Sequence, residues 1–240
     1  MKKKIILILM TIIFLSLFVY SLIHIVLWFN ENKHTEKIIE ELTHSDTIII
    51  NKDDNTKQIN FDELKKKNKD KIAWLKVKNT NIDYPVVQAK DNNYYLKHSF
   101  DKKYTDAGWV FMDYRNNINE LNKNIIIYGH ARKDKSMFGT LKNTLKKDWY
   151  NNKENHIITL TTNENEYKYQ VFSTYHITTE EYYIKTDFNS DDEFNKFVNT
   201  LKKRSTHNYN VEVNELDQIL TLSSCFNEKE KVVLHAKLLN

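Results

Sequence analysis

The segment Gln218-Ile-Leu-Thr-Leu-Ser-Ser-Cys225 carries a clear strand pattern and ends on the only cysteine of the chain. Its first residues after Gln218 are apolar or β-branched and a polar run follows Cys225, which predicts a strand that ends at the thiol. A single cysteine cannot form a disulfide within the chain. A lone thiol at a strand end is a candidate nucleophile, although free cysteine is also often a buried, inert side chain.

Composition is that of one mid-sized domain with an appendage, in a chain of 240 residues. Hydrophobic residues make up 40% and aromatic residues 12%, which is enough for a substantial core. The net charge of +4 is a mild basic excess. No aromatic interleaving, zinc spacing, GxGxxG or P-loop accompanies it, so no nucleic-acid partner is expected and nucleotide binding is disfavoured.

The amino terminus has the pattern of a membrane anchor. Lys2, Lys3 and Lys4 precede an apolar run over residues 5–29, longer than the ~20 residues that a spanning helix needs. No small-residue cleavage site follows it, which favours an uncleaved anchor over a cleaved signal peptide. The lysines predict a cytoplasmic amino terminus and a single-pass protein with its domain outside the cell.

The chain therefore divides into three predicted parts: the stub and transmembrane anchor at 1–29, a juxtamembrane helix and linker at 30–60, and a catalytic domain at 61–240. Within the linker, residues 45–60 show no regular pattern. A single thiol in an extracellular domain is exposed to oxidation and provides no disulfide. This context favours a chemical role for Cys225.

The domain is predicted to be mainly β. Seven or eight strands with few helices between them favour a mainly antiparallel barrel or sandwich with short helical insertions. A helix opens at Asp191 with apolar residues on one face. The predicted strands cover residues 72–77, 81–88, 108–113, 124–128, 157–161, 167–177, 218–225 and 232–236.

His130 is the best candidate partner for the thiol, because a free thiol is only partly ionised at neutral pH. The segment Ile125-Ile-Ile-Tyr-Gly-His130 repeats the pattern of an apolar strand that ends on a reactive residue. Gly129 permits a tight bend or a close backbone approach. His98, His176 and His235 lack such a context and are interpreted as structural.

Three segments together resemble the class B sortases of Gram-positive bacteria: Leu220-Thr-Leu-Ser-Ser-Cys225, Tyr128-Gly-His130 and Asn81-Ile-Asp-Tyr-Pro-Val-Val-Gln88. The resemblance covers roughly residues 61–240. It implies an eight-stranded β-barrel, a membrane-anchored transpeptidase and no obligatory cofactor or metal. It also implies the partners: secreted surface proteins with an LPxTG- or NPxTN-like sorting signal, and a cell-wall precursor amine that takes the acyl group.

The resemblance assigns Cys225 as nucleophile and His130 as general acid and base. The family carries an arginine just before the last strand's Val-Val run, where this chain has Lys231. Lysine supplies charge without the planar fork of a guanidinium, and the segment from Cys225 to Lys231 is shorter than usual. Lys231 is therefore the predicted third catalytic residue, with Arg132 and Arg204 as alternatives.

The substrate groove is carried over from the same resemblance. Asn92 and Leu96 match groove positions that follow the Tyr-Pro-Val-Val segment. Thr179, Tyr183 and Ile184 match the wall before the Asp191 helix. Ser223 shares a strand face with Cys225 by the two-residue alternation. For the aromatic residues, plain core packing is the alternative.

Two other functions remain open. The same pair of residues could release the product to water, as in a peptidase, or Cys225 could be inert in a membrane-tethered wall-binding module. A papain-like enzyme fits poorly, because its cysteine precedes its histidine. An amine-acceptor assay distinguishes the peptidase from the transpeptidase. Thiol labelling at neutral pH distinguishes the module with an inert thiol from either enzyme.

Overall fold

A computed structural model describes residues 2–43, 46–50, 57–120, 122–178, 180–227 and 230–239, with the backbone alone at residues 50 and 225–227. Ten strands and four α-helices follow one another along these residues. The helices are α1 (Lys2–Thr43), α2 (Phe61–Lys67), α3 (Lys147–Asn151) and α4 (Asp191–Arg204). Short 3-10 turns cover Tyr94–Leu96, Leu141–Leu145 and Lys153–His156.

The strands form a two-stranded hairpin and a barrel. The hairpin is β1 (Ile48–Ile50) with β2 (Lys57–Ile59). The other eight described strands are β3 (Lys71–Val77), β4 (Asp83–Val87), β5 (Phe111–Met112), β6 (Asn124–His130), β7 (Ile157–Thr161), β8 (Glu166–Thr178), β9 (Ile219–Asn227) and β10 (Glu230–Leu238). They close in the order β10-β8-β7-β3-β4-β5-β6-β9. The predicted eight-stranded barrel is confirmed.

Two of the barrel's strand pairs are parallel: β4 with β5 and β6 with β9. Hairpins join the sequence neighbours β3–β4, β7–β8 and β9–β10, which are antiparallel. The β6–β9 pair brings together segments about ninety residues apart, and every described β6 side chain before His130 is buried. Strands buried on both faces read as continuous apolar runs, as Ile125-Ile-Ile does here.

Helix α4 covers one side of the barrel for local reasons that the sequence shows. Ser190 caps it by accepting a hydrogen bond from the Glu193 amide. Acidic residues occupy the first turn and basic residues the last, which suits the helix dipole. Its apolar face packs in a second core cluster with Tyr183 and Val233, through Phe194, Phe197, Val198 and Leu201.

Helix α1 is long and apolar enough to cross a membrane, by length and composition. At 42 residues it measures roughly 60 Å, about twice a bilayer's hydrocarbon thickness. The apolar residues 5–29 are exposed, whereas Thr35, Ile38 and Leu42 are buried. Ile38 and Leu42 belong to the main core cluster. The predicted juxtamembrane helix is thus the C-terminal part of α1, and it packs on the barrel.

Three sequence expectations are corrected. Residues 45–60 contain the β1–β2 hairpin, whose strands of three residues are too short to show a periodic pattern. The strand expected at 108–113 is regular only over Phe111–Met112, and Gly108, at its predicted start, has a φ of 57° that no strand residue adopts. Strand β9 continues two residues past Cys225, because its last residue, Asn227, still pairs with Glu230 at the start of β10.

Candidate active site

Three predicted residues lie in one row across three neighbouring strands. His130 on β6 pairs with Cys225 on β9, and Cys225 pairs with Lys231 on β10. Neighbouring strands lie about 4.8 Å apart, so the row joins positions that are far apart in sequence. Lys231 lies inside β10, opposite both Cys225 and Ile177. It is therefore a strand residue, and not the loop residue that the sequence suggested.

The imidazole of His130 is held from one side. Its Nε2 lies 2.9 Å from the backbone oxygen of Leu96. Since a carbonyl oxygen only accepts, Nε2 carries the hydrogen and Nδ1 is left for other chemistry. Gly108 lies against the same ring: a Cβ there would be 2.9 Å from His130 Cδ2 and 2.8 Å from the Leu96 oxygen. The 92–108 segment therefore sets the orientation of the histidine.

Gly129 allows a close approach, as its position before His130 predicted. A Cβ at this position would lie 2.7 Å from Cγ of Phe138. The amide of Phe138 also donates to the His130 carbonyl at 2.9 Å. The Phe138 ring thus packs directly on the backbone that presents His130, and a side chain at residue 129 would displace it.

Lys231 differs from the two alternative cations in its surroundings. Its Nζ lies 5.8 Å from the centroid of the Tyr183 ring, within the range of a cation–π contact. Arg132 pairs with Asp134 at 3.0 Å, and Arg204 pairs with Glu180 at 2.8 Å. Among the described residues, no carboxylate pairs with Lys231. With respect to the described residues, its charge is the least neutralised of the three.

An open groove of about 450 Å³ is lined by residues of β5, β6 and the 92–96 segment. Three of the predicted groove residues line it: Asn92, Leu96 and Ile184. Leu96 connects the groove to the row, because it lines the groove and its backbone oxygen also binds His130. The groove and the histidine are thus positioned by one short segment.

The other predicted groove residues lie elsewhere. Tyr183 and Ser223 are buried, and their hydroxyl groups are hydrogen-bonded to each other at 2.9 Å. They link the segment before α4 to strand β9 underneath the surface, so any effect on substrate passes through neighbouring residues. Thr179 lies outside the described residues.

Sequence reasoning missed a buried carboxylate next to the groove. Asp113 is fully buried and accepts hydrogen bonds from Arg115, Tyr128 and Asn92. Burial alone raises the pKa of Asp113, but these hydrogen bonds outweigh it and hold the pKa below its usual value. The available signal was the Asp-x-Arg spacing directly after an apolar strand.

His235 shows what a purely structural histidine looks like in this barrel. It is fully buried between Tyr175 and Thr221, each hydrogen-bonded to one ring nitrogen at 2.8 Å. Burial lowers its pKa to about 3, so it stays neutral. Among the described residues, no group of histidine, cysteine or acidic side chains could hold a metal ion.

Comparison with known proteins agrees with this geometry. The sortase domain model matches residues 75–239. The chain is 36% identical to sortase B of Listeria monocytogenes over 239 residues, covering 95% of each chain. It is also 36% identical to sortase B of Staphylococcus aureus over 213 residues, covering 87% of this chain and 86% of that one. The chain belongs to the sortase family.

Solved structures give the same result. The Staphylococcus aureus sortase B–substrate complex superposes with a TM-score of 0.70 at 38% identity, covering 75% of this chain and 84% of that one. Sortase B from Bacillus anthracis in complex with AAEK1 superposes with a TM-score of 0.77 at 34% identity, covering 88% and 99%. The proteins that this chain resembles are thus sortases named B.

The His130 geometry yields a prediction about its tautomer. Because Nε2 donates to the Leu96 oxygen, ¹⁵N NMR of the neutral ring should show the hydrogen on Nε2. Gly108→Ala should disturb this state, since its Cβ would crowd both His130 and the Leu96 oxygen and its φ of 57° suits glycine. A neutral ring with the hydrogen on Nδ1 in the wild type would contradict the assignment.

Proposed function

We propose that this chain is a class B sortase: a membrane-anchored cysteine transpeptidase that joins secreted surface proteins to a cell-wall amine. The observation that supports it most is the row of His130, Cys225 and Lys231 on three adjoining strands. Family membership supplies the reaction class. The substrate is a protein with an LPxTG- or NPxTN-like sorting signal, and the acceptor is an amine of a peptidoglycan precursor.

The reaction runs in two halves. The Cys225 thiolate attacks the carbonyl carbon of the signal's threonine and gives a tetrahedral oxyanion. The peptide C–N bond then breaks, protonated His130 gives its proton to the departing amine, and a thioester remains. In the second half the acceptor amine attacks the thioester, its proton passes to His130, and the C–S bond breaks to regenerate the thiolate. This is ordinary nucleophilic catalysis with general acid–base assistance.

Only one ring nitrogen of His130 is available for proton transfer. With Nε2 bound to the Leu96 oxygen, Nδ1 is the atom that gives and takes the proton. In this proposal the segment that contains Leu96 contacts the substrate and also orients the His130 ring.

Lys231 is the proposed source of positive charge for the oxyanion or for the substrate backbone. A preorganised cation next to a developing oxyanion is worth more than one in water. Its place in the row and the lack of a carboxylate partner among the described residues support this role over Arg132 and Arg204. Its contact with the Tyr183 ring restricts where the ammonium can lie.

The sorting peptide is proposed to lie in the groove between the 92–96 segment and Ile184. Asn92, Leu96 and Ile184 would contact it directly. Tyr183 and Ser223 would support that wall from below through their mutual hydrogen bond. Thr179 is proposed as a further wall residue from the family resemblance alone.

Release of the product to water is the competing activity of the same site. Both reactions pass through the same thioester, so they differ only in whether an amine or water takes the acyl group. No described feature favours water. A wall-binding module with an inert thiol is less consistent with a histidine placed beside that cysteine in strand register.

The transpeptidase proposal predicts the outcome of an acceptor assay. With a sorting peptide and an amine, the wild type should give mainly the amide product. Cys225→Ala should abolish turnover, and His130→Ala should lower it by roughly 10²–10⁴-fold because the acid–base group is lost. Chromatography with mass detection follows both products. Turnover by Cys225→Ala would refute the mechanism, and a purely hydrolysed product at saturating amine would favour the peptidase.

The Lys231 proposal predicts a steep loss of rate. Lys231→Ala should lower kcat/KM by about 10²-fold, the usual effect of losing one oxyanion donor, with little change in melting temperature. Lys231→Arg should keep or raise the rate. Lys237→Ala is the matched control, since Lys237 lies on the same strand and pairs with Asp217. Near-normal kinetics for Lys231→Ala would instead direct the same test to Arg132 and Arg204.

The proposed location is the cell membrane, with one span, a cytoplasmic amino terminus and the catalytic domain outside. The exposed apolar face of α1 over residues 5–29 and the three preceding lysines support it. Protease added to protoplasts should therefore digest the catalytic domain. Full protection of that domain while added protease digests a known surface protein would contradict this topology.

A further inference from the structure

Asp113 combines complete burial with an unusual number of donors. Its side chain is 0% exposed. Oδ1 accepts from the Arg115 amide at 3.0 Å and from Arg115 Nε at 2.8 Å. Oδ2 accepts from Arg115 Nη2 at 2.8 Å, from the Tyr128 hydroxyl at 2.8 Å and from Asn92 Nδ2 at 3.0 Å. Five donors on two oxygens suit an ionised carboxylate and no other side chain.

The three side chains that Asp113 holds all line the substrate groove. They come from different parts of the chain: Asn92 precedes the 3-10 turn at Tyr94–Leu96, Tyr128 lies on β6, and Arg115 follows β5. Asn92 is fixed at both ends, because its Oδ1 also accepts from the Tyr114 amide at 3.0 Å. One buried carboxylate therefore connects three separate segments of the groove lining.

The network also reaches the opposite wall. Arg115 Nη2 lies 3.5 Å from the backbone oxygen of Ile184, which is at the limit of a hydrogen bond. The guanidinium is fixed side-on by Asp113, which leaves Nη1 with no hydrogen-bond partner among the described residues. The Arg115 side chain is 36% exposed, and Arg115 is one of the residues that line the groove.

The charge state of the network is well defined. The hydrogen bonds with Asp113 raise the pKa of the Arg115 guanidinium, which stays charged. Burial, together with the Asp113 charge, raises the pKa of Tyr128, so its hydroxyl stays protonated and donates. A buried ion pair of this kind is weak evidence for stability in itself, because desolvation offsets much of the attraction. Its position beneath the groove calls for a different role.

We infer that Asp113 is a positioning residue for substrate binding: it fixes Asn92, Tyr128 and Arg115 along the groove, and thereby the extended backbone of the bound sorting peptide. The inference rests on the proposed sortase function. Arg115 is the member that can donate directly to a peptide carbonyl, through Nη1. Asp113 itself does not touch the reacting atoms.

The substitution Asp113→Asn tests this with little change in shape. Whichever way the asparagine amide lies, its NH₂ replaces one accepting oxygen and faces donors from Arg115, or from Arg115, Tyr128 and Asn92. In either orientation the carboxylate charge is lost and Arg115 keeps at most one of its two side-chain hydrogen bonds, whereas His130 and Cys225 keep their strand register. The matched control is Asp217→Asn, since Asp217 is partly buried and ion-paired with Lys237 at the other end of β9.

The measurements use the full chain in detergent and the LPxTG- or NPxTN-type peptide that the wild type turns over fastest. Asp113→Asn should raise KM by about tenfold or more with kcat within about threefold, the pattern of lost binding that is shared by ground and transition states. The rate at which iodoacetamide alkylates Cys225 should stay within about twofold, since alkylation needs no peptide. Asp217→Asn should match the wild type in all three.

An unchanged KM for Asp113→Asn would overturn the inference, as would a loss of alkylation that parallels the loss of activity. If Asp113→Asn is unfolded at the assay temperature, Arg115→Lys decides the matter, because lysine keeps a positive charge beside buried Asp113 but lacks the planar fork and its second donor nitrogen. It should raise KM at unchanged kcat, and an unchanged KM would overturn the inference. A wild type that forms no thioester with any peptide would overturn the proposed function and this inference with it.

Discussion

The parallel pairing of β6 with β9 is the constraint on which the site depends. It runs without a register shift from Asn124–Ile219 to His130–Cys225. A slip of one residue would place Gly129 or Ala131 beside Cys225 and turn the β6 side chains to the other face. Such a slip is opposed by the polar groups of β6 that are buried with it: Asn124 accepts from the Thr221 hydroxyl on β9 at 2.7 Å, and the Tyr128 hydroxyl donates to Asp113 at 2.8 Å. These buried hydrogen bonds, within an apolar core that tolerates no unpaired polar group, fix the position of His130 beside Cys225.

Hydrogen bonds from three further segments fix the surroundings of His130 and Cys225. The Leu96 oxygen binds His130, and Leu96 also lines the groove. The Asn92 amide of the same segment is anchored to buried Asp113. On the far side, the Tyr183 hydroxyl binds Ser223 two residues before Cys225. The groove and the His130–Cys225–Lys231 row therefore share their supports, since Leu96 belongs to both and Ser223 lies on the strand of Cys225.

Much of this could be predicted from sequence, and the failures have physical causes. The β3, β6, β7 and β8 strands gave apolar patterns of ordinary length, so they were found within a residue or two. The β1–β2 hairpin was missed because three-residue strands have no readable period. The Asp113 network was missed because a buried carboxylate is defined by donors that come from distant segments. Tyr183 and Ser223 were found, but their burial depends on packing that alternation along one strand does not determine.

The central claim is that Cys225 carries the acyl group, and intact-mass spectrometry tests it most directly. Wild-type protein incubated with a sorting peptide in the absence of an amine should gain the mass of the acyl fragment. Peptide mapping should place that mass on Cys225, hydroxylamine should remove it, and Cys225→Ala should never gain it. Cleavage of the peptide without such an adduct, or an adduct on another residue, would contradict the account.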